Sequence, residues 1–486
     1  MKKVLFVILI LILVLSGIVL VNTLTFTSRQ LDVAEQPMPD YDYEEAAYRL
    51  GEAVRIPTIS TEDTTLRDVA AFEAFIRFAE RTYPLVHRQL EREIVNGYSL
   101  LFTWPGTDAS LDPWLLMGHY DVVPVEPSSV ANWDYDPFGG VIADGYIWGR
   151  GTLDDKITVM GVFEAVEWLL AEGLEPKRTL QLAFGHDEEI GGEKGAKAIA
   201  SLLESRGVRL AMVLDEGGLV IEGEMPGIDA PVAMIGTSEK GYLNLELIAE
   251  DEGGHSSMPP SITASGRIAR AVARLQENPM PASLSAGAPM FSYLVPEMGF
   301  GQRLALGNTW LFGPVIRKQL EASPSTNAII RTTTAPTMLA GSQKPNVLPS
   351  RATAVVNFRL LPGDDMESVV RHVERSIDDP LVVVEPMGAF SPASPVSDTE
   401  TPAFDLLHRS IKGFYPQAYI APYLVMGATD ARHFTGISDQ VFRFMPVQIH
   451  NDDLVRLHGT NERVSVQGYA RSIAFYRHLI MEIENL

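Results

Sequence analysis

Five short segments of the chain concentrate the side-chain types that bind metal ions. In chain order they are GHYDVVP (118–124), GRGTLDDK (149–156), HDEEIGG (186–192), LDEGG (214–218) and HGTNE (458–462). Histidine nitrogens and carboxylate oxygens are the ligands of hydrolytic metal sites. Acids packed side by side are costly unless a cation neutralises them. Together the segments predict a two-metal hydrolytic site, because a metal pair that activates water needs this mixture of ligands.

Each segment has a second interpretation when it is taken alone. His119 and Asp121 can be a buried polar pair within a loop, although Asp121 lies on the same side of an extended chain and can orient the imidazole. Asp154 and Asp155 can be solvated acids that favour the start of a helix. The predicted strands favour the metal-site interpretation, because three of the segments directly follow apolar runs. Ligands of open α/β sheets bind where the strands end.

Alternating strands and helices are predicted to position these segments. Residues 115–117, 180–184 and 211–214 are apolar strand candidates, and helices are predicted at 156–172 and 193–206. This alternation predicts an α/β domain with a largely parallel sheet. Nearer the N-terminus, residues 43–90 are predicted to be helical, with Ser60 or Thr61 as a helix cap.

The pattern changes near Gly236, where alternation of apolar and polar residues begins. Such alternation is typical of half-exposed antiparallel strands. The predicted elements are strands at 242–248, 353–359 and 381–385 and a helix at 365–377. We therefore predict an inserted α+β domain over 237–390. It divides a catalytic domain into residues 41–236 and 391–486, and the second part ends in a helix at 466–485.

An apolar run near the N-terminus predicts a membrane-spanning anchor at residues 4–22. Lys2 and Lys3 precede this run, whose length approaches the ~20 residues that cross a bilayer. Positive residues stay on the cytoplasmic side, so the catalytic part is expected on the periplasmic or extracellular side. The alternative is a cleaved signal peptide and a secreted protein, but no A-x-A-like site follows the run. Residues 23–40 carry prolines and polar residues and are predicted to be a linker.

Composition excludes several classes of function. The net charge of −23 would repel nucleic acid. The chain has no cysteine, which excludes disulfides, thiolate metal sites and cysteine nucleophiles. A serine nucleophile elbow of the form G-x-S-x-G is also missing. Any metal must therefore be held by His, Asp and Glu, which suits zinc, with manganese or cobalt as substitutes.

The five segments, in this order and spacing, resemble the motifs of the M20 metallopeptidases, a family that includes aminoacylases and Gly-Xaa carboxypeptidases. The resemblance is strongest to the branch of carboxypeptidase S and PM20D1-like enzymes, because residues 133–140 and 427–432 also fit that branch. It covers about residues 45–486. It implies a zinc-peptidase-like fold with an inserted lid domain, which mediates dimer contacts in many members. A homodimer through that domain is therefore expected.

The resemblance also implies a dinuclear zinc site with defined roles. His119 and Asp215 would bind one metal, and Glu189 and His458 the other. Asp154 would bridge the two metals, and its bond to Asp155 would be a cis peptide. Asp121 would orient His119, and Glu188 would be the general base. Glu216 is the weaker ligand candidate, since neighbouring side chains on a strand point opposite ways.

Substrate-binding residues are implied in the lid and in the last part of the chain. His255 would steady the oxyanion, while Asn346, Arg359 and Arg432 would contact the substrate carboxylate or backbone. From the residues alone, His255 has the alternative of a surface turn histidine, and Arg359 that of an exposed strand arginine.

Two enzyme functions are consistent with this site. One is an N-acyl-amino acid hydrolase, which can also run in the direction of synthesis, and the other is a carboxypeptidase or dipeptidase for short peptides. The anchor favours the first. The apolar segment 282–315 could line an acyl channel, or it could be a dimer interface or core. A third hypothesis is a non-catalytic binding protein, but such proteins usually lose a ligand or the base, and here the full set is present.

Overall fold

The computed structural model describes residues 1–223 and 227–483. Its helices are α1 (Lys2–Thr25), α2 (Tyr43–Val54), α3 (Val69–Thr82), α4 (Pro84–Gln89), α5 (Lys156–Ala171), α6 (Ala196–Ser205), α7 (Ala264–Glu277), α8 (Ala288–Leu294), α9 (Phe300–Leu306), α10 (Thr309–Leu320), α11 (Pro324–Ile330), α12 (Met366–Ile377), α13 (Pro402–Phe414) and α14 (Val466–Glu482). Its strands are β1 (Glu91–Val95), β2 (Ser99–Trp104), β3 (Trp114–His119), β4 (Val141–Ala143), β5 (Tyr146–Trp148), β6 (Leu180–Gly185), β7 (Met212–Asp215), β8 (Val220–Glu222), β9 (Val232–Glu239), β10 (Gly241–Glu250), β11 (Gly254–His255), β12 (Thr333–Ala340), β13 (Val347–Leu348), β14 (Arg351–Leu360), β15 (Val382–Ser391), β16 (Tyr419–Val425), β17 (Val441–Arg443), β18 (Gln448–His450) and β19 (Arg463–Ser465). The helix predicted at 466–485 corresponds to α14, and its last two predicted residues lie outside the described part of the chain.

A large mixed sheet forms the centre of the molecule. Its strand order is β1-β2-β6-β3-β7-β17-β9-β8-β18, with β16 beside β9. Strand β3 is parallel to both β6 and β7, but β2 is antiparallel to β1 and β6. The sheet is therefore mixed rather than largely parallel. One reason is local: Asn96 and Gly97 both have positive φ, as a tight hairpin turn requires, and this turn reverses the chain between β1 and β2.

Both faces of the large sheet are covered, which explains why its central strands are apolar without alternation. In β3, Trp114 and Leu116 pack into the core that contains α5 and α14, whereas Leu115 and Met117 pack into the core that contains α6. A strand buried on both faces has no polar side to show. The polar residues therefore begin where the strands end.

A second, antiparallel sheet has the strand order β12-β14-β10-β15. Its first residue in the sequence is Gly241 and its last is Ser391. Leu243, Leu245 and Leu247 of β10 point into a core closed by α7 and α12. The alternation along β10 follows from a sheet with only one covered face. The boundaries 237–390 of the inserted domain stay a prediction. This sheet lies within them except for its last residue.

The apolar segment within 282–315 divides between the core of the large domain and the surface. Helix α8 contacts β16 of the large sheet, and Tyr293 belongs to the large core. Leu294 packs with Val232 and Ala421. Farther along, Phe300 and Trp310 are exposed. One part of this segment is therefore core of the large domain, and another part faces outward.

Helix α1 is the one helix among the described residues that is long and apolar enough to cross a membrane, a property that signal sequences share. After it, residues predicted as a linker lie against the large domain. The Gln30 side-chain amide accepts from the Ile420 N–H at 2.7 Å and donates to the Ile420 carbonyl at 2.9 Å. The Gln36 N–H donates to the Gly413 carbonyl at 2.8 Å.

Candidate metal centre

The carboxyl ends of three adjacent strands bring the first group of predicted ligands together. In the parallel register, His119 of β3 is paired with Gly185 of β6, directly before the acids at 187–189. Strand β7 lies on the other side of β3 and ends at Asp215. Because neighbouring parallel strands end at the same edge of the sheet, residues far apart in sequence meet there.

Asp154 lies at the centre of the cluster and contacts both predicted histidines. Its Oδ1 is 3.0 Å from Nε2 of His119, and its Oδ2 is 3.0 Å from Nε2 of His458. Nε2 of His458 is also 3.2 Å from Oε2 of Glu189. The peptide bond between Asp154 and Asp155 is cis, as the resemblance implied. His119 is buried, whereas the His458 side chain is 55% exposed, so the cluster opens to solvent on the His458 side.

Asp121 links His119 to the loop that carries Glu188 and Glu189. The Nδ1 atom of His119 is 3.0 Å from the backbone carbonyl of Asp121 and 3.4 Å from its Oδ1. The two carboxylate oxygens of Asp121 accept from the backbone N–H groups of Glu188 and Glu189, each at 3.2 Å. The fully buried Asp121 therefore orients the imidazole and fixes this loop at the same time. Oε2 of Glu188 is then 3.9 Å from Nε2 of His119.

Negative charge is concentrated at this edge of the sheet. The carboxylate cluster, as we call it, consists of Asp154, Asp155, Glu188, Glu189, Asp215, Glu216 and Asp430. Burial, reinforced by neighbouring carboxylates, raises the pKa of Glu188 and that of Glu216 well above the usual range. Hydrogen bonds to Asp154 and Glu189 raise the pKa of His458 to about 10. Burial disfavours the charged form of the two glutamates, and the neighbouring carboxylates favour the protonated form of all three groups.

The donor set fits divalent cations. His119, Asp154 and Glu189 each offer a ligand atom, and these atoms all lie within 4.8 Å of one another. Oε1 of Glu189 and both carboxylate oxygens of Asp430 are buried without a hydrogen-bond partner in the described part of the chain. Buried carboxylate oxygens normally have partners, and a metal ion is one way to supply them. The site therefore has the ligands and the unbalanced charge that a metal ion requires.

Glu462 holds the loop that carries Asp154, a role that the sequence did not reveal. Its buried Oε1 accepts from the N–H groups of Gly151, Leu153 and Asp154 at 2.8–3.1 Å. Its Oε2 is 2.5 Å from Nη1 of Arg150. Glu462 belongs to the same motif as His458, four residues after it, and this spacing marks it as a residue of the site. Its hydrogen-bond partners lie more than 300 residues earlier, so the sequence could not indicate which loop it holds.

Two further residues at the centre were missed or misassigned. Ser60 was predicted as a helix cap, yet its hydroxyl donates to Oδ2 of Asp121 at 2.6 Å, and Asp68 caps α3 instead. Asp430 is buried beside Gly192, where a Cβ atom would overlap its carboxylate. Its burial raises its pKa well above the usual range. No local pattern marks either contact.

The predicted residues of the inserted domain lie apart from the carboxylate cluster. His255 is exposed on β11, and its Nδ1 is 2.8 Å from the Ser257 hydroxyl. Asn346 is exposed beside it, with its carbonyl accepting from the Ser256 N–H at 3.2 Å. Among the described contacts, none joins His255 or Asn346 to the carboxylate cluster. They can reach it only by movement of the domain or from a second copy of the chain.

Arg359 and Arg432 bring positive charge near the cluster from the two domains. Nη2 of Arg432 donates to the Gly191 carbonyl at 2.9 Å, so this guanidinium lies beside the acidic loop. The Arg359 guanidinium is 4.9 Å from the Tyr242 ring centroid. Burial, followed by the charge of Arg432, lowers the pKa of Arg359. A substrate carboxylate would relieve the repulsion between the two arginines.

Buried contacts fix the loop that carries Asp430 and Arg432. Oε2 of Glu239 accepts from the N–H and hydroxyl of Thr429, both at 3.0 Å. The same oxygen is 3.0 Å from Nε of the fully buried Arg443. Glu239 ends β9, directly before the second sheet begins. The junction between the domains and the Arg432 loop are therefore one connected unit.

Comparison with known proteins gives concordant results. Residues 115–482 match the model of peptidase family M20/M25/M40. The N-fatty-acyl-amino acid synthase/hydrolase PM20D1 of Xenopus tropicalis is 42% identical over 88% of this chain and 84% of its own length. The probable carboxypeptidase S-like 2 of Dictyostelium discoideum is 39% identical over 95% of this chain and 91% of its own.

A solved structure shares the fold at much lower identity. The M20 family metallo-carboxypeptidase of Sulfolobus solfataricus superposes with a TM-score of 0.64 at 18% identity and covers 91% of this chain and all of its own. The family match spans most of the chain, and the relatives are similar over nearly their whole length. The chain therefore belongs to the M20 peptidase family and is a hydrolase of that family.

Proposed function

We propose that the chain is a dinuclear zinc hydrolase that cleaves the amide bond next to a C-terminal amino acid, with N-acyl amino acids as its preferred substrates. The observation that carries the proposal is Asp154, whose two oxygens each lie 3.0 Å from a different histidine. A carboxylate between two separate nitrogen donors suits a bridge between two metal ions. His119 with Asp215 would hold one zinc, and Glu189 with His458 the other. Manganese or cobalt could substitute.

The chemistry divides between the bound metals and the side chains. When bound, the metal pair supplies an acidified water and a Lewis acid for the scissile carbonyl. Within the cluster, the Glu188 N–H donates to Asp121, which fixes its position, and its carboxylate would take a proton from water and pass it to the leaving amine. Arg432 and Arg359 would bind the substrate carboxylate. His255 would donate to the oxyanion once it reaches the centre, through domain closure or from the second subunit of a dimer.

The N-acyl preference is supported by a relative and by a cavity. The Xenopus relative is named an N-fatty-acyl-amino acid synthase/hydrolase, and the names imply that the reaction runs in both directions. A cavity of about 580 Å³ lies between the inserted domain and β16. Met280, Met290, Leu361 and Leu424 line it together with the polar side chains of Asp364, His372 and Arg375. Leu361 follows Arg359 by two residues. Its volume lies in the range of small-molecule pockets.

A carboxypeptidase or dipeptidase for short peptides is the second candidate. The similarity to the carboxypeptidase S-like protein of Dictyostelium, which extends over 95% of this chain, favours it. The same metal centre and arginines would serve either substrate, because both present an amide beside a free carboxylate. The two candidate functions therefore differ only in the group on the acyl side of the scissile amide, which is a fatty acyl chain in one and an amino acid or peptide in the other.

We also propose that α1 remains as a membrane anchor, with the catalytic part outside the cytoplasm. The fully buried Asn308 donates to the Thr23 hydroxyl and to the Val19 carbonyl, both at 3.2 Å. The helix end is thus integrated into the fold, which favours retention over cleavage and secretion.

Hydrolysis of a matched substrate panel tests the proposed function. We expect faster turnover of a long-chain N-acyl-phenylalanine than of a phenylalanine-containing dipeptide, and dependence of both on added zinc. Glu188→Gln should lower kcat by about 10²- to 10⁴-fold because the general base is lost, while two zinc ions per chain remain bound. Asp187→Asn, a buried acid in the same loop, is the matched control and should stay active. Faster dipeptide turnover would assign the second candidate, and an active Glu188→Gln enzyme would refute the mechanism.

A further inference from the structure

Four exposed apolar residues lie on α9 and α10, and α9 contacts both α10 and the N-terminal helix α1. We propose that they are a membrane-docking surface that sits in the interfacial layer of the bilayer crossed by α1. The docking surface consists of Phe300, Trp310, Leu311 and Val315. The inference rests on the membrane anchoring proposed above and extends it, because it assigns the orientation of the whole catalytic part against the lipid.

The end of α1 is fixed to the turn between α9 and α10. Val19 and Thr23 are its two buried residues. Asn308, in that turn, bonds to both of them and also accepts from the Asn22 side chain at 3.1 Å. The apolar run of α1 ends at Val21, so this contact lies at the water-facing boundary of the bilayer. The turn and the helices on either side of it are therefore held at the height of the lipid headgroups.

The residues that follow α1 are bound to the large domain and do not form a flexible linker. Beyond α1, Arg29 is 2.6 Å from Glu400, and its guanidinium is 5.4 Å from the Tyr293 ring centroid. Gln30 pairs with both backbone groups of Ile420. A segment held by side-chain and backbone bonds to the large domain cannot extend as a flexible linker does. The large domain must stay against the membrane.

The composition of the docking surface suits the interface rather than water. Val315 is 70% exposed, Phe300 57% and Trp310 56%. Leu311, Val315 and Lys318 follow the i, i+4, i+7 spacing of one helix face. Tryptophan favours the headgroup level of membranes, and basic residues such as Arg317 and Lys318 favour anionic headgroups. These cations stand out in a chain of net charge −23, which an anionic membrane would otherwise repel.

Site-directed spin labelling tests the inference directly, because the full chain contains no cysteine. A nitroxide is placed at Val315→Cys and, as a matched control, at Met338→Cys on β12, which is 62% exposed. The full-length protein is reconstituted in vesicles of phosphatidylcholine and phosphatidylserine. We expect the label at 315 to collide more often with oxygen than with a water-soluble nickel chelate, and the label at 338 to show the opposite ratio. Trp310→Glu, added to Val315→Cys, should shift the ratio at 315 towards the aqueous value.

Flotation of the same vesicles separates the possible failures. Protein that floats but carries an aqueous label at 315 would refute the docking surface and leave the anchor intact. Protein that does not float would refute both. A label at 315 that is shielded from oxygen and nickel alike would mean that a second protein copy covers this face, which also overturns the inference. Hydrolysis of a soluble short-chain substrate by Trp310→Glu should be unchanged in every case, so the proposed function is judged independently.

Discussion

The candidate metal centre and the residues of the inserted domain that are proposed to bind substrate are built in opposite ways. At the metal centre, Asp121 and Asp155 are fully buried, and hydrogen bonds to buried carboxylates fix the loops that carry the predicted ligands. In the inserted domain, His255 and Asn346 are exposed on short strands and turns. The difference indicates that the predicted metal ligands are already assembled, whereas the proposed oxyanion and substrate contacts would need movement or assembly to reach them. Each of the following predictions tests one side of this contrast.

The largest effect is expected from His255→Ala. If His255 completes the oxyanion site, its loss should lower kcat by about 10²- to 10³-fold, because one donor to the developing charge is removed. Bound zinc and the free energy of unfolding should stay unchanged, since the side chain is exposed. Steady-state kinetics and metal analysis on the same preparation measure this.

Two additional variants sharpen the His255 experiment. Arg371→Ala, at an exposed position on α12 of the same domain, is the control and should keep full activity. Mixing His255→Ala with Glu188→Gln subunits should restore part of the activity if the histidine acts in a neighbouring subunit, and none if it acts by closure within one chain. Full activity of His255→Ala itself would mean that the inserted domain supplies no oxyanion donor through this residue.

A smaller effect is expected from Asp121→Asn on the preassembled side. An amide cannot accept from both backbone N–H groups at 188 and 189, so the loop and the imidazole lose their shared support. Zinc affinity should fall by about 10- to 100-fold, as measured by competition with a chelator. Asp187→Asn should leave affinity as it is, because Asp187 bonds to the Lys194 N–H and not to His119. Equal affinities in the two variants would contradict the role of Asp121.

The smallest effect is expected on the free energy of unfolding at acidic pH. Its source is His408 of the large domain. Burial, followed by the charge of Lys412, lowers the pKa of His408 to about 4. The unfolded chain therefore binds one more proton than the folded one between about pH 6.5 and 4, and stability falls as the pH falls through that window. His408→Gln should flatten the dependence of the unfolding free energy on pH by at most about 1.4 kcal/mol per pH unit. Urea unfolding at a series of pH values measures it, and an unchanged slope in His408→Gln would contradict this contribution.

The sequence predicted the elements and motifs that depend on neighbouring residues. Strands β3, β6 and β7 were recognisable because each is a continuous apolar run that ends in acids or histidine, and β10 because its two faces differ. Cysteine content, charge and the N-terminal apolar run needed no structure. These features are local, so a single sequence expresses them fully.

Contacts between distant segments could not be predicted in this way. Ser60 was assigned to a helix end because serine often caps helices, but a buried carboxylate more than 60 residues away takes its hydroxyl. The contact of Gln30 with Ile420 spans 390 residues and leaves no compositional trace. The antiparallel edge of the large sheet likewise depends on a two-residue turn whose φ angles the sequence only suggests.

Glu462 also determines when the metal centre can form during synthesis. The loop at 150–154 emerges from the ribosome early, but the carboxylate that gathers its N–H groups is made more than 300 residues later. His458 arrives in the same late stretch. A nascent chain therefore carries an incomplete centre for most of its translation. Any chain that is truncated before residue 458 lacks both groups, so we expect it to be without hydrolase activity.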